Sequence, residues 1–198
     1  MNIIHYIFSF LCDQDASRSY LVDSYLLPFC QRCTGVYIGM GISFLYLFLT
    51  RFYRKGFPLP AVIYINIASL LIMPIFGYHL IDPGPAWRLW SGLIFGNAIA
   101  FLLLPSASLI YRKGQFANSR TKPSILSFLA LFAFLNTIPF WFPINTLYFY
   151  YMVIALAYIS LICVLFCILI VLFKMIYGLF FLKGVSYGYI KKTKETIP

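Results

Sequence analysis

Cys30 and Cys33 form a C-x-x-C, a spacing at which two sulfurs can chelate one metal ion or close a small redox-active disulfide. Cys12 can supply a third sulfur. His79 and Asp82 stand at i and i+3, so on a helix both side chains point to one face. There Asp82 can serve as ligand, as partner to the imidazole, or as general base. Asp13, beside Cys12, adds another oxygen donor, and His5 is a second candidate for a fourth ligand. Zinc is the ion that a cysteine, histidine and aspartate set of this kind suits best. A lone C-x-x-C is not a zinc signature by itself, because the usual second C-x-x-C or H-x-x-x-H is absent. Two other readings stay open: a structural disulfide between Cys12 and Cys30 or Cys33, or a thiol-exchange role. Cys163 and Cys167 lie four residues apart in wholly apolar surroundings and read as inert small hydrophobes.

Three arginines belong to the same question. Arg18, Arg32 and Arg88 are separated from the other twelve of the fifteen basic residues, which cluster at 51–55, 112–122 and 174–194. An arginine kept apart in this way pairs with a carboxylate or grips an anionic ligand through its planar fork. Asp13, Asp15, Asp23 and Asp82 are the available carboxylates. Both readings place Arg32 and Arg88 near one another.

The elements that must position these residues are membrane-spanning helices. The chain of 198 residues is 62% hydrophobic and only 10% charged, with a mean hydropathy of +0.88. That is far more apolar matter than a water-soluble core of this size can bury. Five segments reach the roughly twenty residues needed to cross about 30 Å of hydrocarbon: Cys33 to Thr50, Leu59 to Ile81, Leu89 to Tyr111, Ser124 to Phe142 and Leu147 to Phe173. With five crossings the three basic stretches, 51–58, 112–123 and 174–198, fall on one side, which the positive-inside bias makes cytoplasmic. The N-terminus, Cys12, Cys30, Cys33, both histidines and four of the five acids are then extracytoplasmic. The net charge of +10 flanks apolar spans and forms no stripe with interleaved aromatics, so no nucleic-acid partner is expected.

The organisation expected is a single all-α membrane domain. Residues 1–32 form an extracytoplasmic cysteine-containing segment, 33–173 a five-span bundle and 174–198 a basic cytoplasmic tail. Ile3, Ile4, Ile7, Phe8 and Leu11 recur at helical spacing, so residues 2–12 predict a short amphipathic helix at the membrane interface. That segment has neither the basic start nor the small-residue cleavage site of a signal peptide. Residues 176–182 read as an interfacial extension of the last span. Gly35 with Gly39, and Gly92 with Gly96, are both G-x-x-x-G, a spacing that lets helix backbones approach closely in lipid.

The run Cys12-Asp13-Gln14, then Arg18-Ser19, then Pro28-Phe29-Cys30-Gln31-Arg32-Cys33-Thr34-Gly35-Val36-Tyr37-x-Gly39 resembles an uncharacterised family of prokaryotic membrane proteins, the domain of unknown function 2085. Asp82, Gly84, Arg88, Gly92 and Gly96 are similar to that family's second block. The family pattern carries histidine where this chain has Asp13; an oxygen ligand there can still serve a metal. The resemblance covers about the first half of the chain. It implies a small polytopic helical protein and supplies no activity.

The sequence therefore predicts a membrane protein with an outward-facing zinc-type site of Cys12, Asp13, Cys30, Cys33, His79 and Asp82, braced by the three arginines. No nucleophile and base arrangement or phosphate loop assigns it to an enzyme class. The alternatives are a transporter component and a scaffold that binds membrane-protein partners, or a second copy of itself, through its glycine faces. Charged mid-span residues, the mark of proton-coupled transport, are missing, and Asn66, Asn97 and Asn136 are the main polar candidates.

Overall fold

The computed structural model describes residues 6, 8–10, 12–51, 60–77, 84–111, 123–141 and 146–194. Among them are five helices: α1 (Gln31–Leu49), α2 (Pro60–Gly77), α3 (Pro85–Tyr111), α4 (Pro123–Trp141) and α5 (Leu147–Lys194). Three of these, over Gln31–Leu49, Pro85–Ser108 and Leu147–Tyr177, are long and apolar enough to cross a membrane. The other two carry shorter apolar stretches, Pro60–Ile75 and Leu126–Ile138. Proline opens α2, α3 and α4, where its fixed φ suits the first helical turn and its missing N–H costs nothing. α1 stops where Arg51 turns into the left-handed region with φ 51°. The Thr50 and Arg51 amides then close onto the Tyr46 and Phe48 carbonyls.

α1 and α3 form the centre of the bundle and run parallel. Gly35 and Gly39 of α1 meet the backbone of Leu89 to Leu93 on α3, and Gly92 and Gly96 of α3 meet that of Arg32 to Met40 on α1. A Cβ on any of the four would overlap a carbonyl oxygen of the opposite helix. The two G-x-x-x-G pairs are thus two halves of one interlocking contact, held by dispersion because lipid supplies no hydrophobic drive between helices. On another side of α1, Gly41 lies against the Leu156 side chain of α5.

Polar side chains stitch the same helices together. Ser43 donates to the Asn97 amide oxygen (2.8 Å), Asn97 donates to Asn66 (3.3 Å), and Asn66 donates to the Val62 carbonyl (2.7 Å). This fully buried chain links α1, α3 and α2. The Trp90 indole donates to Asn136 of α4, whose amide donates to the Phe132 carbonyl. The Ser160 hydroxyl of α5 shares its proton between the Leu156 carbonyl of its own turn (2.7 Å) and the Tyr37 carbonyl of α1 (3.2 Å). All three mid-span asparagines therefore spend their amides on neighbouring helices or on their own helical turn.

The segment before α1 departs from the all-helical expectation. A 3-10 turn at Ala16–Arg18 leads into an antiparallel hairpin of β1 (Ser19–Val22) and β2 (Tyr25–Cys30), with Val22 paired to Tyr25 and Leu21 to Leu26. Asp23 and Ser24 make its two-residue turn with φ 46° and 68°, as a primed turn requires. Val22, Leu27 and Phe29 are buried and pin the hairpin to the bundle. The expected interfacial helix is described only at Tyr6 and residues 8–10. There Phe8 is fully buried, with its ring edge-on to Phe29, Tyr37 and Tyr158 at 5.0–5.7 Å. That residue is anchored in protein, not in lipid. At the far end α5 continues as one helix to Lys194, through the residues expected to form an interfacial extension.

The glycine contact gives a contrast. Gly39→Ala drives a methyl group into the rigid Leu93 backbone and is expected to destabilise the protein by about 2–3 kcal/mol. Gly41→Ala approaches the Leu156 side chain at 2.9 Å and its carbonyl oxygen only at 3.2 Å, and should cost clearly less. Thermal unfolding of the two variants in detergent checks the order.

Candidate metal centre

Each cysteine of the triad is delivered by a different element. The buried Phe8 ring fixes the segment before Cys12, whose N–H bonds the Phe8 carbonyl at 3.0 Å. β2 carries Cys30 to its last position. Cys33 lies in the first turn of α1, which the glycine contact holds against α3. The result is that Cys12, Cys30 and Cys33 bring their three sulfurs within 4.8 Å of one another, all as free thiols. The Cys30 N–H also donates to the Cys12 sulfur at 3.3 Å, and the Thr34 hydroxyl caps the Cys30 carbonyl at 3.0 Å.

The three sulfurs do not share their protons equally. Hydrogen bonds from the Cys12 and Cys33 thiols hold Cys30 well below the ordinary thiol range, and the amides of Cys33 and Arg32 add to that effect. The same pairing with Cys30 pushes Cys12 up, as does its burial. Cys30 is the N-cap of α1, although its sulfur makes no regular capping bond; the positive end of the helix dipole favours an anion there. Cys30 is thus the sulfur of the group whose surroundings most favour the thiolate.

A pocket of about 350 Å³ opens over the sulfurs. Its lining includes Asp13, Asp15, Arg18, Gln31, Arg32, Arg88 and, from α2, Met73. Arg18 pairs with Asp15 at 3.4 Å, and Arg88 donates to the Gln31 side-chain oxygen at 3.2 Å. The Asp15 carboxyl is held below its usual range, first by the Ser17 hydroxyl and amide and then by the fields of Arg18 and Arg88. Burial pushes the nearby Tyr20 phenol up to about 12, with Arg88 opposing; its hydroxyl reaches toward the Pro85 carbonyl at 3.4 Å.

The structure therefore gathers Cys12, Cys30 and Cys33 into one cluster, with Asp13 and all three arginines on the walls of the same pocket. Asp13 is not part of the sulfur cluster itself. His5, His79 and Asp82 lie outside the described residues; Met73, on the helix that leads to His79, does reach the pocket. Sequence reasoning overlooked Gln31, Met73 and the anchoring Phe8. Phe8 does fall on the apolar helical stripe, but nothing in the periodicity says whether lipid or protein receives it.

These features define a polytopic helical membrane protein whose first three described helices and preceding hairpin build a cysteine-lined pocket. The family described as "Predicted membrane protein (DUF2085)" matches residues 12–102, a stretch that runs from the first cysteine of the cluster into α3. An uncharacterized protein of Methanothermobacter thermautotrophicus is 31% identical over 103 residues, covering 48% of this chain and 86% of that protein. The chain belongs to this family. No solved structure matches it.

In metal-free protein the asymmetry among the thiols has a pH signature. A lowered folded-state pKa keeps Cys30 ionised as pH falls, so its alkylation by iodoacetamide should stay nearly level from about pH 8 to about pH 6, whereas an ordinary thiol slows about a hundredfold. Peptide mass spectrometry reads each cysteine separately, and a Cys30 profile parallel to that of a free thiol contradicts the assignment.

Proposed function

We propose that Cys12, Cys30 and Cys33 hold a thiophilic divalent metal ion of the zinc type at the extracytoplasmic boundary of the membrane. The observation that carries this reading is the convergence of three sulfurs from separate elements within 4.8 Å. A tetrahedral centre with metal–sulfur bonds of about 2.3 Å separates its sulfurs by about 3.8 Å, so closure onto an ion requires movements of an ångström or less. Asp13, on the pocket wall, and His79 and Asp82, which follow α2 in the chain, are the candidates for the fourth position. A ligand set closed by one of these is structural and clamps the hairpin onto the helix heads. A set that leaves the fourth position to water can act on a substrate in the pocket.

Orientation follows from charge. Arg51 ends α1 and Lys174 lies far along α5, at the ends remote from the pocket, so the positive-inside bias puts the pocket outside and the C-terminus in the cytoplasm. Lipid is the partner of the exposed apolar faces, most of all on α5, where Ile162, Leu165, Phe166, Leu169 and Phe173 are uncovered.

A second reading, thiol exchange, is favoured by the hydrogen bonds that lower the Cys30 thiol beside Cys33. The same experiment separates the two. Protein purified without chelators is expected to contain one zinc per chain by elemental analysis, lost on Cys12→Ser, Cys30→Ser or Cys33→Ser. A metal-free protein with two of the three thiols oxidised under non-reducing conditions contradicts the metal site and favours a disulfide, and only its reduction and re-oxidation by an added dithiol and disulfide pair supports exchange.

A further inference from the structure

We infer that the segment carrying Tyr6, Phe8 and Phe10 enters the hydrocarbon of the leaflet on the pocket's side, where Tyr6 and Phe10 are packed by lipid acyl chains. This goes beyond the metal reading and holds whether or not the sulfurs carry an ion. α1 has 19 residues, about 28 Å at the helical rise, so nearly its whole length is needed to cross about 30 Å of hydrocarbon. Arg32 in its first turn and Arg51 just past its end stand at the two edges of that layer. Phe8 lies between those edges. Its ring meets Tyr37, roughly 9 Å along α1 from Gln31, and Tyr158, roughly 16 Å along α5 from Leu147. The Ser160 hydroxyl on the Tyr37 carbonyl puts those two stretches at one level. The third ring against Phe8, that of Phe29, sits just before α1, on the side of the pocket. Side chains lean toward the start of their helix, which brings the two tyrosine rings back by less than a turn and leaves Phe8 inside the layer.

The segment has two faces. Phe8 is fully buried against the bundle, whereas Tyr6 and Phe10 are 58% and 76% exposed and meet edge-on at 5.6 Å. In a helical turn, positions i and i+4 share a face and i+2 points away from it, so these two rings look away from α1 and α5. At this depth the medium beside the bundle is lipid, and α5 itself leaves Ile159 and Ile162, close to Tyr158, exposed to it. The polar groups are satisfied within the segment, as hydrocarbon demands. The Ser9 hydroxyl donates to the Tyr6 carbonyl at 2.8 Å, and the Cys12 amide donates to the Phe8 carbonyl at 3.0 Å. A helix that lies on the membrane surface keeps a charged face in water, yet residues 6–12 contain no Asp, Glu, Lys or Arg. Traced backwards from Cys12 at the sulfurs, the chain thus descends one turn below the interface to Phe8.

Spin labelling of the full chain in phosphatidylcholine liposomes tests the inference. A nitroxide carried on p-acetylphenylalanine in place of Tyr6 or Phe10 leaves the native cysteines untouched and keeps an aromatic ring at each position. Both positions are exposed, so either label serves if the other disturbs the fold. Two exposed residues of α5 supply the references: Tyr148, in its first turn at the membrane boundary, and Ile162, within the span. Collisions with oxygen, which concentrates among acyl chains, are compared with collisions with a water-soluble nickel chelate. The oxygen-to-nickel ratio at residues 6 and 10 is expected to exceed that at Tyr148 severalfold and to approach that at Ile162. A ratio no greater than that at Tyr148 places the segment at the surface and overturns the inference. Poor access of both reagents also overturns it, since a second copy of the chain or another protein then covers the two rings in place of lipid.

Discussion

The contact between the backbones of α1 and α3 is the constraint on which the site depends. Four glycines clear their own points of the seam, so that carbonyl oxygens of one helix lie against the glycine Cα positions of the other. Because the helices run parallel, closing that seam sets the first turns of both side by side. Arg32 and Cys33 on one helix and Arg88 on the other then line one pocket. A larger residue anywhere along the seam spreads the helix heads, and the pocket spreads with them.

Everything else at this end of the molecule hangs from that pair. The hairpin rests on it through Val22, Leu27 and Phe29, and the chain's beginning rests on the hairpin through Phe8. Farther along, the Ser43, Asn97 and Asn66 chain brings α2 onto the same pair. Each such hydrogen bond in a membrane interior is worth on average about 0.6 kcal/mol, so the polar chain secures register more than it supplies stability. The family match ends within α3 at residue 102, close to where this unit is complete, while α4 and α5 lie outside it.

The helices were legible because twenty-residue apolar runs have few other uses, and proline marks where three of them begin. The glycine pairs also stand out along the chain, but that they interlock is a three-dimensional fact, since each reads alone as a general packing signal. The hairpin was hidden for a local reason. Its turn is Asp23-Ser24, without the glycine that normally announces a primed turn, and Pro28 sits inside β2. C-x-x-C is visible at once, whereas Cys12 is brought to it by contacts remote in sequence, the buried Phe8 before it and the Cys30 amide on its sulfur. The assignment of His79 and Asp82 to the site rests on helical spacing alone, since both lie outside the described residues.

The order of these elements in the chain also bears on how the protein is made. Arg88 follows Cys33 by 55 residues, and an entire helix is synthesised between them. At the ribosome's pace of about 5–20 residues per second, the cysteines emerge roughly 3–10 seconds before the helix that walls their pocket. For that interval Cys12, Cys30 and Cys33 exist without Arg88, so in synthesis the sulfur cluster precedes the rest of its pocket.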